Sequence, residues 1–282
     1  MPNDFTQLPL PDAAPATLAL QALGQTPQAN RWRTEAMRSH ATPRLIFFAR
    51  GQGRITVAGL TSGYGPNNLI FIPARTMYGF EIGAAVFGQI LTLPAAMAAE
   101  WPDTHVHLRL RDVAGQKELL ALIEGLEREL QSSRPHSRRA AHYHAGLLSV
   151  FFARQIALQS IDPALARQQT SAAKLVAAYT GLIERDFRSD HGVADYAAEL
   201  GVTPTHLTRC CRQTCGQSAL GLLADRRHFE ACTMLRDTKT PVQDIASQTG
   251  FQSAAYFSRA FQARAGVSPT TFRRAGPQVR PR

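Results

Sequence analysis

GFQSAAYFSRAFQARAGVSP, residues 250–269, carries the three- and four-residue spacing of an α-helix. Phe257, Ala260 and Phe261 mark an apolar inner face, and Ser258, Arg259 and Gln262 a polar outer one. Just before it, PVQDIASQTGF is a short helical stretch with the small Ala246 one turn ahead of Gly250. A glycine there accepts the left-handed turn between two helices, and a small residue lets the helices cross closely. Helix, tight glycine turn and second helix with a polar face is the helix-turn-helix layout.

Upstream, VADYAAELGVTPTHLTRCCRQTCG repeats this plan. Ala197 stands four residues before Gly201 as Ala246 stands four before Gly250, and the two glycines are 49 positions apart. Thr203-Pro204, Thr240-Pro241 and Ser268-Pro269 each offer an N-cap hydroxyl followed by a proline suited to a first turn. At Thr240 a capping box with Gln243 is also expected. Leu220, Leu223, Ala231 and Leu235 mark a long helix joining the copies. At roughly 20 residues it is about 30 Å long, near the ~34 Å between successive major-groove faces of B-DNA.

Two recognition helices in adjacent grooves are therefore expected. In the first, Thr203 caps the helix, Thr205, Thr208, Arg209 and Arg212 share an outer face, and Leu207, Cys210, Cys211 and Thr214 turn inward. In the second, with Ser253 at its start, the outer face is Ala254, Ala255, Ser258, Arg259 and Gln262. An arginine at the position of Arg209 or Arg259 matches the O6 and N7 acceptors of guanine, Thr208 and Ser258 suit bases or phosphates, and alanines offer only contact with thymine methyls. An isolated arginine is ordinarily a solvated charge, but equivalent placement in two copies favours contact with DNA. Lys239, Arg264, Arg273 and Arg274 are expected to touch phosphates or to serve as solubilising charge.

Composition agrees with a polyanionic partner. The 282 residues carry a formal net charge of +10, with 44% hydrophobic and 18% charged residues, enough for two globular domains. Basic residues outnumber acidic ones 16 to 12 in residues 1–170 and 15 to 9 in 171–282, so the excess is denser in the shorter part. The four cysteines, Cys210, Cys211, Cys215 and Cys232, form no disulfide framework and read as small apolar residues in a reducing cytosol. No His-Cys spacing accompanies them to suggest zinc. The first 30 residues hold no Lys or Arg, which argues against export. The uncharged run from Ile82 to Ala99 contains Gln89, Thr92 and Pro94 and reads as a buried strand and a short helix, with no membrane span.

Residues 1–30, rich in Pro, Ala and Gln, read as a flexible arm. From Arg44 short apolar runs alternate with turn residues. LIFFAR-GQG-RITVAG suggests a hairpin with Gly51 and Gly53 supplying positive φ, and the strand density suggests a sandwich or small barrel. His105 to Arg111 alternates strictly, with His105, His107, Arg109 and Arg111 on a wet face. His105 and His107 with His40 would make a metal site only if a carboxylate stood nearby at suitable spacing, and none does, so neither metal nor other cofactor is expected. Leu119, Ile123, Leu126 and Leu130 form one helical stripe, and AAHYHAGLLSVFFARQIAL a second helix. Such a hairpin suits packing on the sheet or against a second subunit.

GFQSAAYFSRAFQARAGVSPTTFRR, with its GF pair, YFSRAF, G-x-SP and closing aromatic-Arg, resembles the AraC/XylS family of bacterial transcription regulators over residues 172–274. The resemblance implies a seven-helix DNA-binding domain whose groove-facing positions fall on Thr205, Thr208 and Arg209, and on Ala254, Ala255, Ser258 and Arg259. Cys211 departs from the large aromatic usual at its position, and Ala254 and Ala255 replace more polar residues. The family also implies a cupin-like sensor with a helical dimerisation hairpin.

The expected fold is multidomain α+β. An arm (1–30) is followed by an N-terminal β-rich, cupin-like (jelly-roll) domain at 31–160, with a hairpin at about 115–160. After a linker (161–170) come an all-α domain at 171–276 with two helix-turn-helix units, and a basic tail (277–282). The expected function is a cytoplasmic, ligand-responsive transcription activator and no enzyme. Its expected partners are double-stranded promoter DNA, a small-molecule effector, a second copy and RNA polymerase. A metal-dependent cupin enzyme tethered to DNA and a sequence-neutral architectural binder are the alternatives.

Overall fold

The computed structural model describes residues 17–23, 32–83, 85–158 and 170–275. The β-rich half contains β1 (Ala19–Leu23), α1 (Trp32–Glu35), β2 (Arg44–Arg50), β3 (Gly53–Val57), β4 (Leu60–Tyr64), β5 (Asn68–Ile72), β6 (Tyr78–Phe80), β7 (Phe87–Thr92), a 3-10 turn (Ala95–Glu100) and β8 (Val106–Arg109). Two helices follow, α2 (Val113–Gln131) and α3 (Ser137–Leu158). The helical half is α4 (Ser171–Asp186), α5 (Val193–Glu199), α6 (Pro204–Cys215), α7 (Ala219–Asp237), α8 (Val242–Gln248), α9 (Ala254–Ala265) and α10 (Pro269–Arg274).

The strands form a five-stranded sheet, β1-β7-β2-β5-β8, facing a three-stranded one, β4-β3-β6, with every pairing antiparallel. The continuous apolar run of β2 follows from burial on both faces. Leu45 and Phe47 point to α2 and α3, in a cluster with Leu119, Ile123, Leu148 and Phe152. Ile46 and Phe48 point into the sandwich against Tyr64, Tyr78 and Phe80. Leu69 and Phe71 against Ile70 and Ile72 divide β5 the same way.

Several expectations are corrected by long-range pairing. β2 and β3 are not a hairpin: β5 and β7 occupy both edges of β2, and the chain crosses to the other sheet at Gly51, which has φ +83° while Gly53 is not in the left-handed region. The hairpin is β3–β4, closed by Ala58 (φ +48°) and Gly59 (φ +73°). The expected arm is in part a strand, because β1 pairs with β7 and buries Leu18 and Leu23. Residues 1–16 and 24–30 of that arm, the basic tail at 277–282, and the linker apart from Thr170 lie outside the described residues. The face of β8 expected to be wet is so only at its end, where Arg109 and Arg111 are exposed; His107 is half-buried between the sheets and bonds Asn68 Oδ1 at 2.7 Å and Ser62 Oγ at 3.2 Å. No helix among the described residues is long and apolar enough to cross a membrane.

The halves share their cores. Met37 and Met77 belong to the cluster of Tyr179, Tyr196 and Leu207, and Trp32 packs on Phe229 and Phe272 with ring centroids 5.6 and 6.0 Å apart. Arg226, buried and 3.9 Å above the Phe187 ring, donates to Glu184 at 2.8 Å and Glu230 at 3.0 Å, while Ser39 of the β-rich half donates to Glu184 at 2.5 Å.

Candidate nucleic-acid interface

Both repeats fold as two short helices around a left-handed glycine. In the first, α5 leads through Gly201 (φ +67°) to α6, and in the second α8 leads through Gly250 (φ +77°) to α9. Ala197 and Ala246, at equal distances before those glycines, are both buried. Thr203 caps α6 by accepting from the His206 N–H, and Ser253 caps α9 by accepting from the Tyr256 N–H, each at 3.2 Å. Gly216 and Gly266, both at φ +73°, end the two helices. Ser268 caps α10, as its sequence implies. Thr240 does not cap α8, whose N-cap is Pro241 with no side-chain bond. Its hydroxyl is bonded to Thr238 at 3.0 Å, and its carbonyl accepts from Arg273 at 2.5 Å.

The caps Thr203 and Ser253 are 50 positions apart although the glycines are 49 apart, because the second turn holds one extra residue. The 50-residue offset sets the equivalences along the recognition helices. Leu207 and Phe257 are buried, as are Cys211 and Phe261. On the outside, Arg209 matches Arg259 and Thr205 matches Ala255, with all four exposed. Arg212 matches Gln262, both exposed, while Thr208 and Ser258 are half-buried at the edge of the face.

Three of the expected site residues make their contacts within the helical half. Ala254 is half-buried and packs against the Phe257–Phe261 cluster, because the first turn of α9 leans on its own core. Arg264 is ion-paired with Asp225, and burial pushes its guanidinium pKa down. Arg273 bonds the Leu235 and Thr240 carbonyls. Both arginines thus hold partners within the helical half, Arg264 with its side chain still exposed. Lys239 and Arg274 are exposed with no ion pair among the described residues, but neither lies on α6 or α9.

Two residues enter the face that the spacing of polar residues did not single out. His206 Nδ1 lies 2.9 Å from Arg209 Nη2, where it accepts from the guanidinium and fixes its direction one turn along the helix. At the matching position Tyr256 is 58% exposed and packs its ring on Phe251. The 50-residue register is the signal that pairs them. Among the described residues no group of three His, Cys, Asp or Glu side chains is placed to hold a metal ion. The four cysteines are free thiols, three of them buried.

The Helix-turn-helix domain model matches residues 196–275, which contain α6 to α10 and most of α5. The transcriptional activator AarP of Providencia stuartii is 33% identical over 91 residues, covering 32% of this chain and 67% of that protein. The chain belongs to the AraC/XylS family. The arabinose operon regulatory protein of Escherichia coli K12 is 33% identical over 85 residues, covering 30% of this chain and 29% of that protein, so the match spans under a third of it. The transcriptional activator RhaR of Klebsiella pneumoniae is 25% identical over 233 residues, covering 81% of this chain and 75% of that protein. The family's DNA-binding motif thus coincides with the helical half and its duplicated units.

Proposed function

We propose that this protein is a sequence-specific regulator of transcription that binds double-stranded promoter DNA through α6 and α9. The observation that carries this reading is the recurrence, at a 50-residue offset, of an exposed arginine at the same position of two capped recognition helices. The joining helix α7 has 19 residues, about 28 Å, a length suited to grooves ~34 Å apart. Arg209 and Arg259 carry direct base reading in this account. Thr205, Thr208, Arg212, Ser258 and Gln262 support them, and Ala255 offers only a methyl contact. The basic surplus supplies the sequence-independent part of the affinity.

The active form is proposed to be a homodimer joined through the helical hairpin. Tyr143, Leu147, Val150 and Leu158 of α3 are exposed and follow one another at four-, three- and eight-residue steps, a single apolar stripe that no other described residue covers. A small-molecule effector would act by shifting the population of β-rich and helical halves arranged for promoter binding. The names of RhaR and AarP, both transcriptional activators, favour activation; contact with RNA polymerase and a place in the cytoplasm complete the proposal. Gel-shift titration against a genomic site recovered by selection tests the core of this. A regulator favours its site over scrambled duplex by about 4–10 kcal/mol, and equal affinity for both would leave only a sequence-neutral binder.

A further inference from the structure

A cavity of about 600 Å³ lies between the β-rich and helical halves. Its wall contains Arg33, Arg75, Arg185, Arg188 and Arg226 against only two carboxylates, Glu184 and Glu230. Both carboxylates already accept from Arg226, and Glu230 also from Arg188 at 2.5 Å. Arg33 and Arg185 find acidic partners outside the wall, Asp237 at 3.8 Å for the first and Asp186 and Glu199 for the second. Arg75 has no carboxylate partner among the described residues. It sits in the left-handed region at φ +55°, an uncommon conformation for a side chain of its size, and its N–H donates to the His40 carbonyl at 2.7 Å.

His40 reports the sign of the field here. Its Nε2 is buried with no hydrogen-bond partner among the described residues. Burial first, and then the charges of Arg44, Arg38 and Arg226, push its imidazole down to about 2. A wall with guanidiniums in excess of carboxylates, positive enough to keep a buried imidazole beside it neutral, is complementary to an anion.

We propose that this cavity binds a small organic anion, a carboxylate or a phosphate monoester, held between Arg75 of the β-rich half and Arg188 of the helical half. The inference rests on the effector-responsive reading above and gives the effector a chemical class and a place. Because the wall is built from both halves, the bound anion stabilises their closed arrangement over any in which they separate, which couples the site to the DNA-binding helices.

Calorimetric titration of the full-length protein without DNA, at constant ionic strength in chloride, tests it with three probes: inorganic phosphate, glycerol 3-phosphate and succinate. The expected result is one saturable site with Kd of about 1 mM or tighter for at least one probe. Preference for the phosphates assigns a phosphoryl ligand, and preference for succinate a carboxylate. R75Q should weaken that probe at least tenfold, with R75K between the two, and R188Q should repeat the loss if R75Q is unstable. No saturable heat from any probe, or an unchanged Kd in both glutamine variants, overturns the site. Promoter binding by the same wild-type sample separates the two readings. Specific DNA binding without anion binding removes only the cavity's role, whereas anion binding without specific DNA binding removes the regulator and leaves the cavity.

Discussion

The two helix-turn-helix units share a frame and differ in filling. Unit two closes its core with its own aromatics: Phe261 packs against His228, Phe257 and Phe272 at centroid distances of 5.0, 5.8 and 5.3 Å. Unit one places Cys211 at the matching position, and its cluster includes Met37 and Met77 from the β-rich half. The turns differ too. At Gly250 a Cβ would collide with the carbonyl oxygens of Ser189 and Phe187, which Arg227 clasps at 2.8 Å, whereas at Gly201 it would meet nothing within 4 Å. Unit two is thus docked on the end of α4 and filled mainly by its own aromatics, with Trp32 of the β-rich half on its rim at Phe272, while unit one draws Met37 and Met77 of that half into its core. The difference makes unit one the natural place for regulation and unit two the anchor.

Substitution at the matched positions should separate the units. Phe261→Ala should cost about 3–5 kcal/mol in urea unfolding, by loss of a buried ring and the cavity left behind, and Cys211→Ala only about 1 kcal/mol. Equal losses would mean the two cores are equivalent after all. At the turns, Gly250→Ala should cost about 2–5 kcal/mol, combining left-handed strain with a backbone collision, and Gly201→Ala about 1–2 kcal/mol from the strain alone.

Unit two should also carry a pH signature. Burial holds the His228 imidazole down at about 4, so it stays neutral in the folded protein while the unfolded chain protonates near 6.5. Its contribution is complete above 6.5 and is lost as pH falls to about 4, in all about 3 kcal/mol. Unfolding free energy measured across pH 4–7 should decline in that window, and His228→Phe should make the decline shallower, the remainder coming from His40, whose imidazole is pushed lower still. On DNA, the smallest of these effects is expected from His206→Ala. It removes the acceptor that orients Arg209 and should weaken the specific site by about 1 kcal/mol, with His206→Asn restoring part of it. An identical loss on scrambled duplex would point to damaged folding and remove that positioning role.

The local grammar of the helical half is legible because its signals act within a few residues. The caps Thr203, Ser253 and Ser268, the left-handed Gly201 and Gly250, and the buried Ala197 and Ala246 all follow from neighbours in sequence. Thr240 shows the limit, since Arg273, 33 residues away, takes its carbonyl, and its hydroxyl turns back to Thr238. In the β-rich half the apolar runs mark strands but not partners. Nothing near LIFFAR shows that β5 and β7 will flank it, and nothing near β1 shows that β7 will pair with it across some 70 residues. The face of α9 was legible through Arg259, yet Ala254, Arg264 and Arg273 required the tertiary structure, because an α-helical spacing cannot say which edge of a face meets the core. The interdomain cavity was invisible for the same reason, its arginines being spread from residue 33 to residue 226.

The central claim is that two matched helices read DNA in two adjacent grooves. Site selection from random duplex, with wild-type protein and with Arg209→Ala and Arg259→Ala, tests it most directly. The account predicts two preferred blocks about one helical turn apart. Each variant should relax one base pair in one block only, at a cost of about 1–3 kcal/mol. A single block, or sites unchanged in both variants, would contradict it.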